Sequence, residues 1–458
     1  MARSTTRRKK LAEARRVGEA AALNELDTKA EPEIALADQP AAAHVEPAQP
    51  NPCVPWSGPP DARHILAAGL FSILIAATYG TIAWGMFTGS VDFRAHVDIA
   101  RRSYEIGRPL APHFLFHLLT VALFVTHLAS SLVLAGRLVM VGCYLVIPLL
   151  LYGLLWIVFR ETILGRPLIL FLAGVATFLA QPITLAHAYA LGYFWPEPYQ
   201  IPTSTMLKPF ALAGFGCTVW FLSRRCRPDL YLTPLFALAT LAGSLSKPSF
   251  LICVAPATAL LAAVRFVRRL PISATALALG LYIPAAAVLG WQFYVTYSGQ
   301  NVPGAYHDSI DWAPFKFMNY WTTGLFSKFL LTIAFPLAVT ILYWRTAVRD
   351  TMLQLSWLSF LFGSFYSYML AERINWSAGN MTWSGGITAF TLFVGSVVFW
   401  LRQVSVEASS GGLQRRAIFC GAILALHAIS GARLDWLYLA HYGCPLDFRA
   451  VEFVCSTG

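Results

Sequence analysis

HFLFHLLTVALFVTHL, residues 113–128, decides how the rest of the chain is threaded. The run is apolar enough to enter a bilayer, yet it is shorter than the roughly 20 residues that a helix needs to cross one. It also carries His113, His117 and His127. Counted as a full span, it reverses the side of every later segment. The positive-inside bias of Arg and Lys decides between the two threadings. If 113–128 lies in the interface or re-enters, five basic segments fall on the side of the basic N-terminus. These are RETILGR (160–166), RRCR (224–227), RFVRR (265–269), RTAVR (345–349) and the loop from Arg402 to Arg416. If it crosses, all five fall on the other side. The non-crossing reading puts the N-terminus in the cytoplasm and the C-terminus outside, with about eleven spans. The expected spans are 65–87, 138–159, 168–190, 205–222, 230–246, 249–264, 272–296, 326–344, 353–371, 385–401 and 417–432.

Composition agrees with an all-α polytopic membrane protein: 458 residues, 57% hydrophobic, mean hydropathy +0.58. The net charge of +11 comes largely from arginines that flank apolar runs, so it reports topology and not nucleic-acid binding. Residues 1–62 are basic at their start and then rich in Ala, Glu and Pro, which predicts a disordered cytoplasmic tail. No apolar stretch follows the opening charges closely enough to form a cleavable signal. Residues 63–432 form the transmembrane domain and 433–458 a short extracytoplasmic tail. The eight cysteines show no CxxC spacing; Cys444 and Cys455 are the close pair outside the apolar runs, placed for a disulfide if they lie outside the cytoplasm.

Loops 88–137, 191–204, 297–325 and 372–384 then face outward. They are rich in Trp, Tyr, Pro, Asn and His, whereas the inward loops are mainly Arg, so the chemistry is expected outside. GSVDFRAHVDIARRSYEIGRPLAPHF (89–114) is the one strongly basic segment on the wrong side, and topology does not explain it. Asp92 and His96 are four apart, on one face of a helix starting near Asp92. Asp98–Arg102 and Arg101–Glu105 have pairing spacing, and Val97, Ala100 and Tyr104 form an apolar strip, which predicts an amphipathic helix on the membrane surface. In ALGYFWPEPYQIPTSTMLKPFAL (190–212), Glu197 and Tyr199 lie in a Pro-rich loop and Lys208 one turn into the next span. That lysine either snorkels or faces a cavity to hold an anion. Lys247 occupies a Lys-Pro turn at the same surface. Glu372, Arg373, Asn380 and Trp383 crowd a further outer loop, with Glu372 and Arg373 expected as a local ion pair. Asp308, Asp311 and Trp312 combine carboxylates with aromatic rings, a sugar-binding palette.

The layout resembles the C-type (GT-C) glycosyltransferases, multi-pass enzymes that use polyprenyl-phosphate sugars. Their catalytic aspartate lies just after the first span and is followed by an in-plane helix; here SVDFRAHVDIA holds Asp92 at that place. LAPHFLFHLL (110–119) is similar to the non-crossing segment that precedes their second span, and LSKPSF to a Lys-Gly-Pro turn. IPTSTMLKPFAL and AGNMTW also resemble segments of a group of uncharacterised bacterial membrane proteins. The resemblance implies transfer of a sugar from a lipid-linked donor to an envelope glycan or lipid acceptor, at the outer face of a bacterial inner membrane. It makes Asp92 the general base with His96 orienting it, and Lys208, Lys247, Arg94 and Arg373 the donor-phosphate ligands. Glu197, Tyr199, His113, Asp308, Asp311, Trp312, Glu372, Asn380 and Trp383 would then bind acceptor or sugar. A divalent metal on Asp92, His96 and Glu197 is compatible with those residue types. Two other classes fit the composition: a transporter or flippase of lipid-linked intermediates, and a non-catalytic membrane protein of envelope assembly.

Overall fold

The computed structural model describes residues 59–86, 91–184, 193–194, 201–223, 231–297, 309–321, 323–374, 376–442, 446–447 and 452–453. The expected N-terminal tail, the Cys444–Cys455 pair, His307, Asp308, Glu197, Tyr199 and Asn375 lie outside the described residues. The described chain is all-α apart from two short ribbons. Its helices are α1 (Ala62–Met86), α2 (Val91–Ile106), α3 (Leu115–Val125), α4 (Leu132–Phe159), α5 (Pro167–Leu179), α6 (Pro202–Ser223), α7 (Leu232–Ser246) and α8 (Leu251–Val267). After them come α9 (Ala274–Leu277), which continues through a π-turn into α10 (Ile283–Tyr297), then α11 (Lys316–Trp321), α12 (Leu325–Thr332), α13 (Ala334–Leu342) and α14 (Trp344–Ala347). The last three are α15 (Thr351–Met369), α16 (Thr382–Ser409) and α17 (Arg415–Ala440). Strand β1 (Ile310–Trp312) pairs antiparallel with β2 (Leu370–Glu372), and β3 (Leu446–Asp447) with β4 (Glu452–Phe453).

Six of these helical segments are long and apolar enough to cross a membrane: α1, α4, α6, α9–α10, α16 and α17. A seventh span results if α12 and α13 are one broken helix. The other expected spans fall on α5, α7 and α8, which are shorter, and on α15, whose serines lower its hydropathy. Helix α3 is likewise short.

Two expected spans are not continuous helices. In the run 168–190 helix α5 ends at Leu179 and the described residues 180–184 are not helical, because Pro182 turns the residue before it away from the α region. The run 326–344 bends by 66° between α12 and α13. Pro336 has no N–H to offer the Thr332 carbonyl and crowds it, which accounts for the break.

Helix directions define two ends of the bundle. At one end Arg265 donates to Thr351 Oγ1 (2.9 Å), Arg402 pairs with Asp350 (2.8 Å), and Glu407 receives Arg416 (2.8 Å) and Tyr343 (3.1 Å). The basic segments 265–269, 345–349 and 402–416 therefore meet there. The other end holds the C-terminus of α7 and the N-termini of α8 and α16. Between them α15 and α16 pack closely through small residues: Gly363 admits Thr388 and the Ser384 carbonyl, and Gly395 admits Ser356.

Gly431 of α17 plays the same part for the broken end of α5. A Cβ at Gly431 would overlap the Leu179 carbonyl oxygen, a backbone atom that no rotamer change can move. Gly431→Ala should therefore destabilise the bundle by about 3 kcal/mol or more. Thermal unfolding in detergent measures this; a midpoint equal to wild type would contradict the close approach.

Candidate functional site

The site is built where α1 ends and α2 begins. Phe93, Val97 and Ala100 recur at helical spacing and are buried, which pins one face of α2 to the bundle. Phe93 meets Phe116 edge-on at 6.4 Å, and Gly136 of α4 leaves room for both rings. Of the expected strip, Val97 and Ala100 are buried while Tyr104 is exposed and rests on Phe124. Neither expected ion pair forms: Asp98 instead takes Arg101, at 3.1 Å. The polar side of α2 is solvated as an amphipathic surface helix should be. Asp92 stands in its first turn, where the helix dipole favours a carboxylate. His96, one turn later, shares its face.

Further side chains come to this pair from other parts of the chain. His96 Nδ1 lies 3.0 Å from His117 Nε2, their rings stacked at 5.2 Å, so one nitrogen donates and the other accepts. The His113 ring stands 6.3 Å from that of His96. The loop that carries His113 is tethered by Gln292 of α10, whose Nε2 donates to the Pro112 carbonyl (3.0 Å) and the Ser244 carbonyl (2.8 Å). That double contact ties the loop to the end of α7, where Pro248 stops the helix and leaves Lys247 extended. The Lys247 ammonium lies 4.8 Å over the ring of Trp383, which opens α16.

Burial controls the charges here. It lowers the Lys247 ammonium to about 7, against the attraction of Asp92. It raises the Asp92 carboxyl above the ordinary range, against the attraction of Lys247. Asp92 keeps one side open to solvent, but protein crowds the rest of it. Burial, with help from the neighbouring charges of His117 and Lys247, lowers His96 to about 2 and His113 to about 3, so both imidazoles are neutral at physiological pH. A carboxylate and an amine, both shifted toward neutrality, thus lie within electrostatic reach of each other beside uncharged imidazoles.

The remaining predicted residues divide into three groups. Lys208 is buried on α6 with its ammonium 5.5 Å over Phe390. Phe390 lies seven residues from Trp383 on α16, so both lysines face one stripe of that helix, about 10 Å apart along its axis. Arg94 is on the exposed side of α2. Arg373 does not pair with Glu372 as expected. In the antiparallel ribbon Arg373 makes a two-point bond to Asp311 (2.9 and 3.1 Å), while Glu372 accepts from Asn380 (2.7 Å). Successive residues of a strand point to opposite faces, which separates neighbours 372 and 373. Trp312, next to Asp311, is exposed.

Among the described residues, no donor set for a divalent metal is assembled. Glu197 is outside the described residues, His96 Nδ1 is engaged by His117, and among the described residues no three His, Cys, Asp or Glu side chains are grouped to hold one. Sequence reasoning missed His117 and Gln292. The signal for the first was present, since His113 and His117 are four apart in an otherwise apolar run. Comparison with protein-family models, with curated proteins and with solved structures yields no match for this chain.

The electrostatics give a direct expectation. With lysines carrying ¹³C-dimethyl groups, the NMR signal lost in Lys247→Arg should titrate near 7, far below ordinary lysines. Asp92→Asn removes an attraction that favours the charged amine, so it should move that midpoint lower still. A Lys247 midpoint near 10 would show that the ammonium is hydrated and not part of a buried pair.

Proposed function

We propose that this protein is a membrane glycosyltransferase that moves a sugar from a polyprenyl-phosphate donor to an envelope glycan or lipid acceptor. The observation that carries the reading is the Asp92–Lys247 pair. The two are brought together at one end of the bundle, with opposite charge and with acidities shifted toward each other. In the transfer Asp92 takes the proton of the acceptor hydroxyl, and the acceptor oxygen bonds to the anomeric carbon as the sugar–phosphate bond breaks. The electron pair passes to the phosphate oxygen, and the Lys247 ammonium stabilises the charge that grows there. His96, neutral and anchored by His117, orients the hydroxyl. Arg373, held by Asp311, is left out of this scheme. The threading that fits is about eleven spans in a bacterial inner membrane, N-terminus inside and C-terminus outside, with the site on the outer face. In support, the basic segments 265–269, 345–349 and 402–416 cluster away from it.

A transporter of lipid-linked intermediates is the second reading, favoured by the break after α5 and the 66° bend between α12 and α13. Broken helices within the bilayer are common in transporters. Transfer of a labelled sugar from a lipid donor by purified protein in liposomes supports the enzyme. Flux of donor across the bilayer without transfer supports the carrier.

Two outcomes follow for the enzyme. Asp92→Asn should lower transfer about 100-fold or more with the protein still folded, and wild-type rates in that variant would remove Asp92 from catalysis. The rate should rise with pH as Asp92 loses its proton and fall above about 7 as Lys247 loses its charge. Lys247→Arg, which stays protonated, should abolish the alkaline fall; an unchanged limb would assign it to another group.

A further inference from the structure

Helix α4 carries one charged side chain in its 28 residues, and that charge is Arg137. The helix is long and apolar enough to cross a membrane, and Arg137 stands about 8 Å along its axis from Leu132. Charges inside a span are costly and are usually paired. Helix α1 runs antiparallel beside α4 and meets part of that need. Ser72 Oγ donates to the Leu145 carbonyl (2.5 Å), a Cβ on Gly80 would touch Val141 at 3.4 Å, and the next turn brings Trp84 to Arg137. The guanidinium carbon lies 4.8 Å over the Trp84 ring. Among the described residues that ring is its one partner, and Nε is closed off from solvent with no hydrogen-bond acceptor. The Asp92 carboxylate at the same end has Lys247 for its counter-charge. An aromatic face attracts a cation but offers no oxygen to its N–H donors, so the guanidinium still lacks an acceptor.

Two features say what supplies one. The seam between α1 and α4 faces the bilayer at this level: Thr81, a turn before Trp84, is exposed, as are Leu138 and Leu145. An anion that reaches Arg137 along that surface brings apolar chains with it. The seam also holds a single charge here, since the other basic residues of α1, Arg63 and His64, stand at its far end. A phosphodiester matches one guanidinium with one negative charge, whereas a phosphate monoester carries nearly two. We propose that Arg137 and Trp84 form a binding site for the phosphodiester of an anionic membrane phospholipid, whose acyl chains lie along the α1–α4 seam. The guanidinium fork takes two phosphate oxygens in charge-assisted hydrogen bonds while the ring holds the fork in place. The Arg137 stem leans toward the N-terminus of α4, which lifts its head toward the end of the span. Gly136, its neighbour, is where Phe93 packs, so the lipid sits close under the helix that carries Asp92. The site goes beyond the transfer reading and holds whether or not Asp92 is catalytic.

The test is native mass spectrometry of the full chain in detergent, titrated with phosphatidylglycerol, with diacylglycerol of the same chains as the uncharged control. One phosphatidylglycerol should stay bound where diacylglycerol is lost, and it should raise the melting temperature. Arg137→Met should weaken that binding about tenfold or more and remove the rise. Its lipid-free melting temperature should hold or increase, because a charge leaves the span, and this separates lost binding from lost folding. If Arg137→Met does not fold, Arg137→Lys carries the test: the charge stays, the fork goes, and affinity should fall about threefold or more. Affinity within about twofold of wild type in the folded variant would overturn the site, as would equal retention of diacylglycerol. Displacement by millimolar inorganic phosphate would overturn it in favour of a soluble anion, and tighter binding of farnesyl phosphate in favour of a monoester. Binding lost in Lys247→Met but kept in Arg137→Met would also overturn it, placing the phosphate at the Asp92 cluster and leaving the transfer reading intact.

Discussion

A bilayer interior offers no water to a broken helix, so every backbone group freed by a break must find a partner inside the protein. His427 meets that demand for two breaks at once. Its Nδ1 lies 2.7 Å from the Gln181 carbonyl and its Nε2 receives the Phe335 amide at 3.3 Å. A carbonyl only accepts and an amide only donates, so the ring is held as the neutral Nδ1–H tautomer. The Gln181 amide returns to the His427 carbonyl at 3.2 Å. Ser430, a turn along α17, adds a bond to the Pro182 carbonyl (2.7 Å), and Ile183 donates to Leu331 (3.2 Å). The ends of α5, the α12–α13 bend and α17 are thereby one unit. Polar side chains within this bundle are therefore not in themselves signs of chemistry. His427 is fully buried and fully engaged.

The same accounting distinguishes Lys247 from such structural groups. Lys247 has a carboxylate within electrostatic reach and an aromatic face beneath it, at the mouth of a loop tied down by Gln292. Its charge is therefore conditional, and that is useful where a proton moves. Lys208 is deeper, with its ammonium over the Phe390 ring.

Much of this was legible in the sequence because its signals are local. The in-plane α2 follows from the spacing of Asp92, His96, Val97 and Ala100, and the short α3 from the length and charge context of 113–128. The Pro-terminated turn at Lys247 was equally plain. What was hidden depends on pairing across distance. Nothing near Gln292 shows that an amide in an apolar run will reach Pro112 and Ser244. Likewise, nothing beside Arg373 shows that strand register will hand it to Asp311 instead of Glu372. The halt at Leu179 was half-visible: Pro182 is a stop, but apolar residues on both sides of it read as one span until the backbone bonds to α17 are known.

These distant pairings also explain why the site is where it is. A carboxyl and an amine shift toward neutrality only if they are withheld from water, and a substrate of the proposed reaction would also have to reach them. The bundle satisfies both demands by placing them at helix ends. Asp92 starts α2 and Lys247 ends α7, each covered by a neighbour's side chains, with Asp92 still open on one side. Moved a few turns into the bundle, the pair would be shielded but unreachable. Moved into the exposed ribbon, it would be screened as Asp311–Arg373 is, and Asp311 there is held below the ordinary carboxylate range by its arginine. A carboxylate that burial raises while one side stays open is therefore confined to the narrow layer between these two, and the first turn of α2 supplies it there.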